Sequence, residues 1–449
     1  MAASHGNIAD KFLHSLHNQG FILNHKPFVY IFSALVVAFL ILDPGQTLRN
    51  FRVLLFISPF WLTYILGTFS IKRWLSANRI EWMAKQEYIL LEIKVPRDVR
   101  KTPLAMETVF TSMHLAPGES TWWKKYVEGR VRPWWSIEVV SIGGRVHFYL
   151  WTRKGLRRGI ESSFYAQYPG IEIVEATDYS RLIDPSHEPY EMWGTDYKFT
   201  KDTDALPIKT YVDFMKPDSP MAKPEEQVDP FAQMIELLGS IGPKEQFWFQ
   251  MVFRVHKGEK FHKGHDIQAE AKAQLEVFRK QTVRSVTKID AQGNARQEDS
   301  FPNPSRGVQN NMELVERKMS KPLFDVGLRA LYAAPKDAYQ GATISHLIGL
   351  LKPFGSETLN GFGITRWFAN YDDQPWQDRK GFHRAHTAHN LTDAYRRRMF
   401  FHEPHRLSYM IMNTEELATL FHIPSSGVTT PSLPRIQSST SEAPSNLPT

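Results

Sequence analysis

No cysteine occurs among the 449 residues of this chain. That absence excludes a disulfide scaffold, thiolate ligation of zinc or an iron–sulfur cluster, and cysteine catalysis. Of 26 glycines none precedes a lysine, so the phosphate-binding loop G-x-x-x-x-G-K-[ST] does not occur. These residues by themselves cannot form a conventional P-loop ATPase. H-E-x-x-H, G-x-S-x-G and a full G-x-G-x-x-G are missing as well. Charge of one sign is scarcely in excess: 54 Lys+Arg stand against 47 Asp+Glu, a formal +7. Such mild basicity suits partners carrying phosphate or anionic lipid. At 42% hydrophobic and 22% charged, the composition is that of a globular protein, and wholesale disorder is ruled out.

Two apolar runs lie near the N-terminus. Phe28–Leu42 and Val53–Ile71 contain no charged residue, and Lys72-Arg73 closes the second. A membrane-crossing helix needs about 20 residues. The second run satisfies this directly, and the first does so with Pro27 and Asp43-Pro44 at the interface. The segment Asp43–Arg52 joins them, which predicts a transmembrane hairpin over 27–73 with both flanks on one side. Lys11, Lys26, Lys72, Arg73, Arg79 and Lys85 on the flanks outnumber Arg49 and Arg52 in the loop. The positive-inside rule then places both termini, and the body that follows, in the cytoplasm. Pro59 predicts a kink. In residues 1–26, Ile8, Phe12, Leu13 and Leu16 share one helical face, so this segment either lies along the membrane surface or is a frayed tail.

From Tyr88 the periodicity changes to two. Ile89, Leu91, Ile93 and Val95 share one face of a strand, and Pro103 opens a helix after Thr102. Trp135–Ile142, Gly143-Gly144 and Arg145–Thr152 read as a hairpin, Leu156–Tyr168 as a helix and Ile171–Glu175 as a strand. This β-α-β-β-α-β order predicts a ferredoxin-like unit over 87–176. A second unit is expected over 206–370, from strands at Ile208–Phe214, Phe247–Val255, Phe324–Tyr332 and Ile364–Phe368 with helices at Asp229–Leu238 and Lys336–Leu351. Its insertion, 258–320, carries Ile267, Ala271, Leu275, Phe278, Thr282, Val286 and Ile289 on one helical stripe and Val308, Met312, Val315 and Met319 on another. This predicts a helical arm with a mobile tip at Asp290–Gly307, packed on itself or its parent sheet, or else serving a partner. The fold class is therefore α+β: two N-terminal transmembrane helices, then two ferredoxin-like units, the second bearing a helical-hairpin insertion. A basic, histidine-rich segment (371–424) and a Ser/Thr/Pro-rich tail (425–449), disordered or an extended linker, follow.

Arg145, His147, Tyr149 and Trp151 alternate on one face of the first hairpin, as the base-stacking residues of RNA-recognition sheets do. Glu92 and Glu138 fall on the same face, where carboxylates oppose a phosphate backbone, so burial against the second unit is the expected fate of this face. Lys72, Arg73, Lys154, Arg157, Arg158, Arg396, Arg397 and Arg398 are candidates for contacting lipid or phosphate. His383, His386 and His389, with His402, His405 and Asp378 nearby, are the only dense set of potential metal ligands. They lack an H-x-H or H-x3-H pair and lie among arginines, so no metal site is expected. No carboxylate pair and no Ser/His/Asp set proposes catalysis.

Glu87–Pro96 and Lys101–Glu107, placed behind a short membrane hairpin, resemble the N-terminal membrane region of bacterial conjugative-transfer, type IV secretion ATPases. Leu417–Pro424, followed by Val428–Arg435 and Asn446–Pro448, is similar to the stretch leading into the motor domain of that family. The resemblance implies a non-enzymatic platform or adaptor at the bacterial inner membrane, two-pass, homo-oligomeric and without cofactor. Its expected partners are membrane lipid, a separately encoded P-loop motor ATPase and DNA. Alternatives are a membrane-tethered single-strand-binding protein, using the His147/Tyr149/Trp151 face, and a membrane enzyme with its site at the histidines.

Overall fold

A computed structural model describes residues 43–96, 99, 101–115, 121–215, 229–257, 266–282, 285–289, 295–299, 304–365, 378–425 and 433–436. It is a mixed α+β structure that divides into two compact units. One comprises Met1–Lys85, Glu119–Val131 and Arg366–Thr387; the other comprises Gln86–Gly118, Arg132–Thr365 and Ala388–Thr449.

The first unit is dominated by helix α1 (Pro44–Ala84). Asp43 caps it by accepting the Gln46 amide at 3.0 Å, and Pro44 occupies the first turn, where its missing N–H costs nothing. The segment expected to be a loop, Asp43–Arg52, is thus helical from Pro44 onward, because Asp-Pro is a helix-starting pair. The first apolar run, Phe28–Leu42, and the N-terminal segment 1–26 lie outside the described residues. Pro59 bends α1: its arms Pro44–Phe60 and Leu62–Ala84 meet at 42°. Proline leaves the carbonyl four residues earlier without its donor. Ser58 Oγ supplies one, donating to the Leu55 carbonyl at 2.6 Å.

The second unit is built on one mainly antiparallel sheet. In chain order it contains β1 (Tyr88–Pro96), α2 (Pro103–Ser112), β2 (Trp134–Ile142), β3 (Arg145–Arg153), α3 (Arg157–Gln167), β4 (Glu172–Glu175), β5 (Tyr190–Phe199), α4 (Tyr211–Met215), α5 (Pro230–Gly239) and β6 (Gln246–Val255). There follow α6 (Ile267–Thr282), β7 (Ser285–Ile289), β8 (Ala295–Asp299), α7 (Arg306–Ser320), β9 (Leu323–Pro335), α8 (Ala342–Gly349), β10 (Phe362–Ile364), α9 (Phe382–Arg396), β11 (Met410–Asn413), α10 (Thr414–Leu420) and β12 (Arg435–Ile436). The first four strands pair in the order β4-β1-β3-β2 and a second set in the order β10-β5-β9-β6. The two sets meet edge to edge, through antiparallel pairing of β2 with β6 from Trp134↔Arg254 to Ile142↔Gln246.

Several elements differ from the sequence reading. The first strand of the second set is Tyr190–Phe199, and Ile208–Phe214 is not a strand. Instead the Asp213 carboxylate accepts the Thr210 amide at the start of the short helix α4, and the Tyr211 amide donates to Thr419. In the insertion the helical stripe ends at Thr282, and Val286 and Ile289 belong to hairpin β7–β8. The arm packs on itself and its parent domain: Ala271, Leu275, Phe278, Val308, Met312, Val315 and Met319 gather around Ala205 and Leu206. The tail expected to be disordered supplies β12, parallel to β1 at Val95↔Arg435, with Leu433 buried beside it.

One face of the sheet is apolar and helix-covered. Phe148 of β3 lies against Phe231 of α5 and Phe421 after α10, with ring centroids 6.3 and 5.7 Å away, and Phe110 of α2 meets Phe253 of β6 at 5.4 Å. Helix α10 is buried along its entire length.

Candidate functional site

The opposite face carries a polar row in register across six strands. Glu92 (β1) pairs with Tyr149 (β3), Tyr149 with Glu138 (β2), Glu138 with Gln250 (β6), Gln250 with Arg329 (β9) and Arg329 with Asp196 (β5). A one-residue slip anywhere would turn these groups onto the apolar face, so the row specifies the register. Its centre is fully buried. Glu138 accepts from Ser136 Oγ at 2.7 Å, Tyr179 Oη at 2.7 Å, Gln250 Nε2 at 3.1 Å and the Arg398 guanidinium at 3.0 and 3.2 Å. Arg398 also holds Asp178, and Tyr395 Oη lies 2.7 Å from Tyr179 Oη. Burial first, and the Glu138 carboxylate second, push both phenols far above their ordinary value, so they serve as neutral donors.

Two further ionic clusters lie in this unit. Asp325 takes Arg254 at 2.8 Å, His256 at 2.6 Å and Arg132 at 3.5 Å. Around α10, Glu416 meets Lys318 at 3.1 Å, while Glu415 and Glu107 share Lys321 at 2.8 and 2.6 Å. In each cluster the opposite charges pair with one another, which is what a buried ion pair requires to persist.

The sequence candidates fall into three groups. Arg145 is exposed and His147 half-buried, 2.8 Å from Glu92. Tyr149 stacks on Tyr179 at 4.8 Å and Trp151 on Tyr88 at 4.4 Å, and both are buried. The hairpin therefore offers no stacked-base platform. Its cover is the 178–181 segment and the chain after α9, and the second strand set lies beside it rather than on it. Of the basic residues, Lys72, Arg73, Lys154, Arg158 and Arg397 are exposed, Lys154 facing Glu87 at 2.9 Å and Arg397 facing Asp393 at 2.7 Å. Arg157 holds Glu161 and Glu175. Arg396 donates to the Ser180 and Ile183 carbonyls and Arg398 is buried, so of the run 396–398 these two arginines clamp neighbouring segments while Arg397 stays at the surface. Among the described residues no His/Cys/Asp/Glu group has metal-holding geometry; His405 bonds Asp393 at 2.7 Å and His389 faces the His187 ring at 6.0 Å.

An open groove of about 640 Å³ is lined by Gln86, Glu87, Leu115, Pro133 and Arg153–Leu156. A smaller cavity of about 260 Å³ adjoins it at Met113, Trp135 and Ile160. Neither places a nucleophile beside a base.

The other conspicuous surface is α1. Phe56, Phe60, Tyr64 and Phe69 are 83%, 78%, 74% and 61% exposed on a stretch free of charge from Val53 to Ile71. Monomeric soluble proteins rarely leave apolar surface of this extent in water; such a face marks contact with a membrane or another protein. Among the described residues no single straight helix is long and apolar enough to cross a membrane; the two arms of α1 meet that requirement together. No family model and no curated protein matches this chain.

Proposed function

We propose that this chain is a non-enzymatic, membrane-anchored platform of a conjugative-transfer, type IV secretion-like machine, holding a P-loop motor ATPase at the cytoplasmic face of a bacterial inner membrane. The observation that carries the reading is the outward-facing, uncharged, aromatic surface of α1, bounded by Arg49 and Arg52 at one end and Lys72-Arg73 at the other. Hydrocarbon is the solvent such a surface suits, and the Ser58 donor at the proline bend supports it, because lipid offers no water to an orphaned carbonyl. Phe28–Leu42 would be the partner helix of a two-pass anchor. The orders β4-β1-β3-β2 and β10-β5-β9-β6 favour two ferredoxin-like units fused edge to edge. Tethering then raises the effective concentration of motor, DNA and neighbouring copies without an active site. Burial of Tyr149 and Trp151 removes the support for the nucleic-acid reading.

The test is made on the full chain in its host membrane. Retention in the pellet through alkaline carbonate, with co-purification of a protein containing G-x-x-x-x-G-K-[ST] after detergent extraction, is the expected result. Release by carbonate would overturn the anchor, and recovery without any such ATPase would overturn the platform.

A further inference from the structure

We infer that Trp122 and Trp123 form an interfacial foot, seated in the headgroup layer of an anionic bilayer beside the cytoplasmic end of α1. The inference rests on the reading of α1 as the anchor and adds a second, peripheral contact to it. Within the first unit, residues 121–131 are pinned to α1 by two features. Asn78 Nδ2 donates to the Val127 carbonyl at 3.1 Å. Gly129, at φ +68°, lets the chain cross α1 so closely that a Cβ there would sit 2.5 Å from the Asn78 carbonyl carbon.

Leading into these anchors the chain makes a π-helical turn, Trp123–Val127, closed by the Glu128 amide on Trp123 O at 3.1 Å and the Arg130 amide on Lys124 O at 2.9 Å. This turn presents Trp122 and Trp123 outward, 67% and 58% exposed, with the Tyr126 ring 5.8 Å from that of Trp122. Two adjacent indoles held in water by this turn gain nothing for the fold. At a membrane surface the same groups are favourable, since indole has an apolar body and one N–H donor.

Position and charge select the occupant. Asn78 lies about 9 Å along the helix axis beyond Lys72, at roughly 1.5 Å per residue. The headgroup region on each side of the hydrocarbon is about 5–8 Å deep. A turn attached at Asn78 therefore starts at the aqueous edge of the headgroup layer, within side-chain reach of it. The two segments 72–85 and 119–131 carry seven basic residues (Lys72, Arg73, Arg79, Lys85, Lys124, Lys125 and Arg130) against three glutamates. That excess complements anionic phospholipid.

Because the chain has no cysteine, single-cysteine probes report one position each. Full-length chains bearing Trp123→Cys, Phe60→Cys or Arg145→Cys are labelled with an environment-sensitive fluorophore in vesicles of phosphatidylcholine and phosphatidylglycerol. The position-123 probe is expected to shift to the blue and lose most of its emission to a nitroxide near the headgroup, less to one at the chain terminus. The position-60 probe should show the reverse, and the position-145 probe neither. Unquenched emission at 123 with deep quenching at 60 would overturn the foot and leave the anchor intact. Unquenched emission at both positions would overturn both. A position-123 probe shielded from lipid quenchers and from aqueous iodide alike would assign the surface to a protein partner and overturn the lipid reading. Loss of headgroup quenching in phosphatidylcholine alone would confirm the requirement for anionic lipid.

Discussion

Arg398 and Glu138, 260 residues apart, form a two-point ion pair at 3.0 and 3.2 Å beneath Tyr179 and Tyr395. Arg398 holds a positive φ of 51°, an arrangement tolerated because its guanidinium also clamps Asp178. Through this pair the segment after α9 and the segment before β5 close over the polar row at the junction of the two strand sets.

Removing the arginine leaves the buried Glu138 and the half-buried Asp178 carboxylates without their cation. Arg398→Ala is expected to lower the unfolding free energy of the detergent-solubilised chain by about 3–5 kcal/mol, read by denaturant titration. Pairing it with Glu138→Gln should recover part of that loss, because the stranded charge is gone. Additive effects of the two changes would contradict direct coupling.

Acid should unfold the protein through Asp325. Burial raises this carboxyl, but the His256 hydrogen bond, with Arg254 and Arg132, outweighs burial and holds it below the ordinary value. A carboxyl depressed in the folded state stabilises at pH above its unfolded pKa of about 3.9, and the contribution is lost as pH falls through the folded value. Asp178 and Asp229 act in the same direction, through Arg398 and His422 after burial is overcome, while Asp196, raised by burial, opposes them. Stability should decline below about pH 4, and Asp325→Asn, weaker at neutral pH, should show a shallower decline there.

The buried aromatic hairpin yields a prediction that separates stability from binding. Trp151→Ala, removing a buried ring stacked on Tyr88, should cost about 3–5 kcal/mol of stability. It should leave any salt-dependent affinity for single-stranded nucleic acid unchanged. Loss of such affinity at constant stability would restore the base-stacking role.

Charge placed on α1 should weaken membrane insertion. Phe60→Asp introduces a group that costs about 2.5–3.5 kcal/mol at the centre of a membrane helix. Combined with Phe56→Asp it should lower the fraction of the chain that resists carbonate extraction, the rest being held by Phe28–Leu42.

Gly129→Ala should detach the tryptophan turn. The added methyl meets α1 backbone and the residue must keep φ +68°, so the turn has to move. Protease accessibility at Lys124 and Lys125 should rise while the unfolding midpoint of the sheet-bearing unit changes little.

Much of the sheet was legible from period-two alternation: β1, β2, β3, β6 and β9 lie where apolar residues alternate, and the shared face of Glu92, Tyr149 and Glu138 follows from strand parity. The arm helices were legible because their stripe repeats at helical spacing. Strand β5 was not, since its buried face includes Gly194 and Asp196. Glycine there accommodates Leu391, whose Cδ2 would be 2.3 Å from a Cβ, and the aspartate is tolerable inside only because Arg329 lies 2.8 Å away. Ile208–Phe214 has the composition of a strand, yet Asp213 and Thr419 provide hydrogen bonds that favour a helical turn.

The sequence alone determined the mixed α+β character, the apolar run of α1 and the side of the hairpin on which each residue falls, because these depend on short-range periodicity. Tertiary structure decided which polar residues are buried. Arg398 and Arg397 are neighbours with the same charge, but one is enclosed by Glu138 and Asp178 and the other faces solvent. The difference is made by carboxylates 260 and 220 residues away, and no local pattern encodes a partner at that distance. The same reason hid the edge pairing of β2 with β6 and the addition of β12 to β1, whose hydrogen bonds form only after distant segments meet.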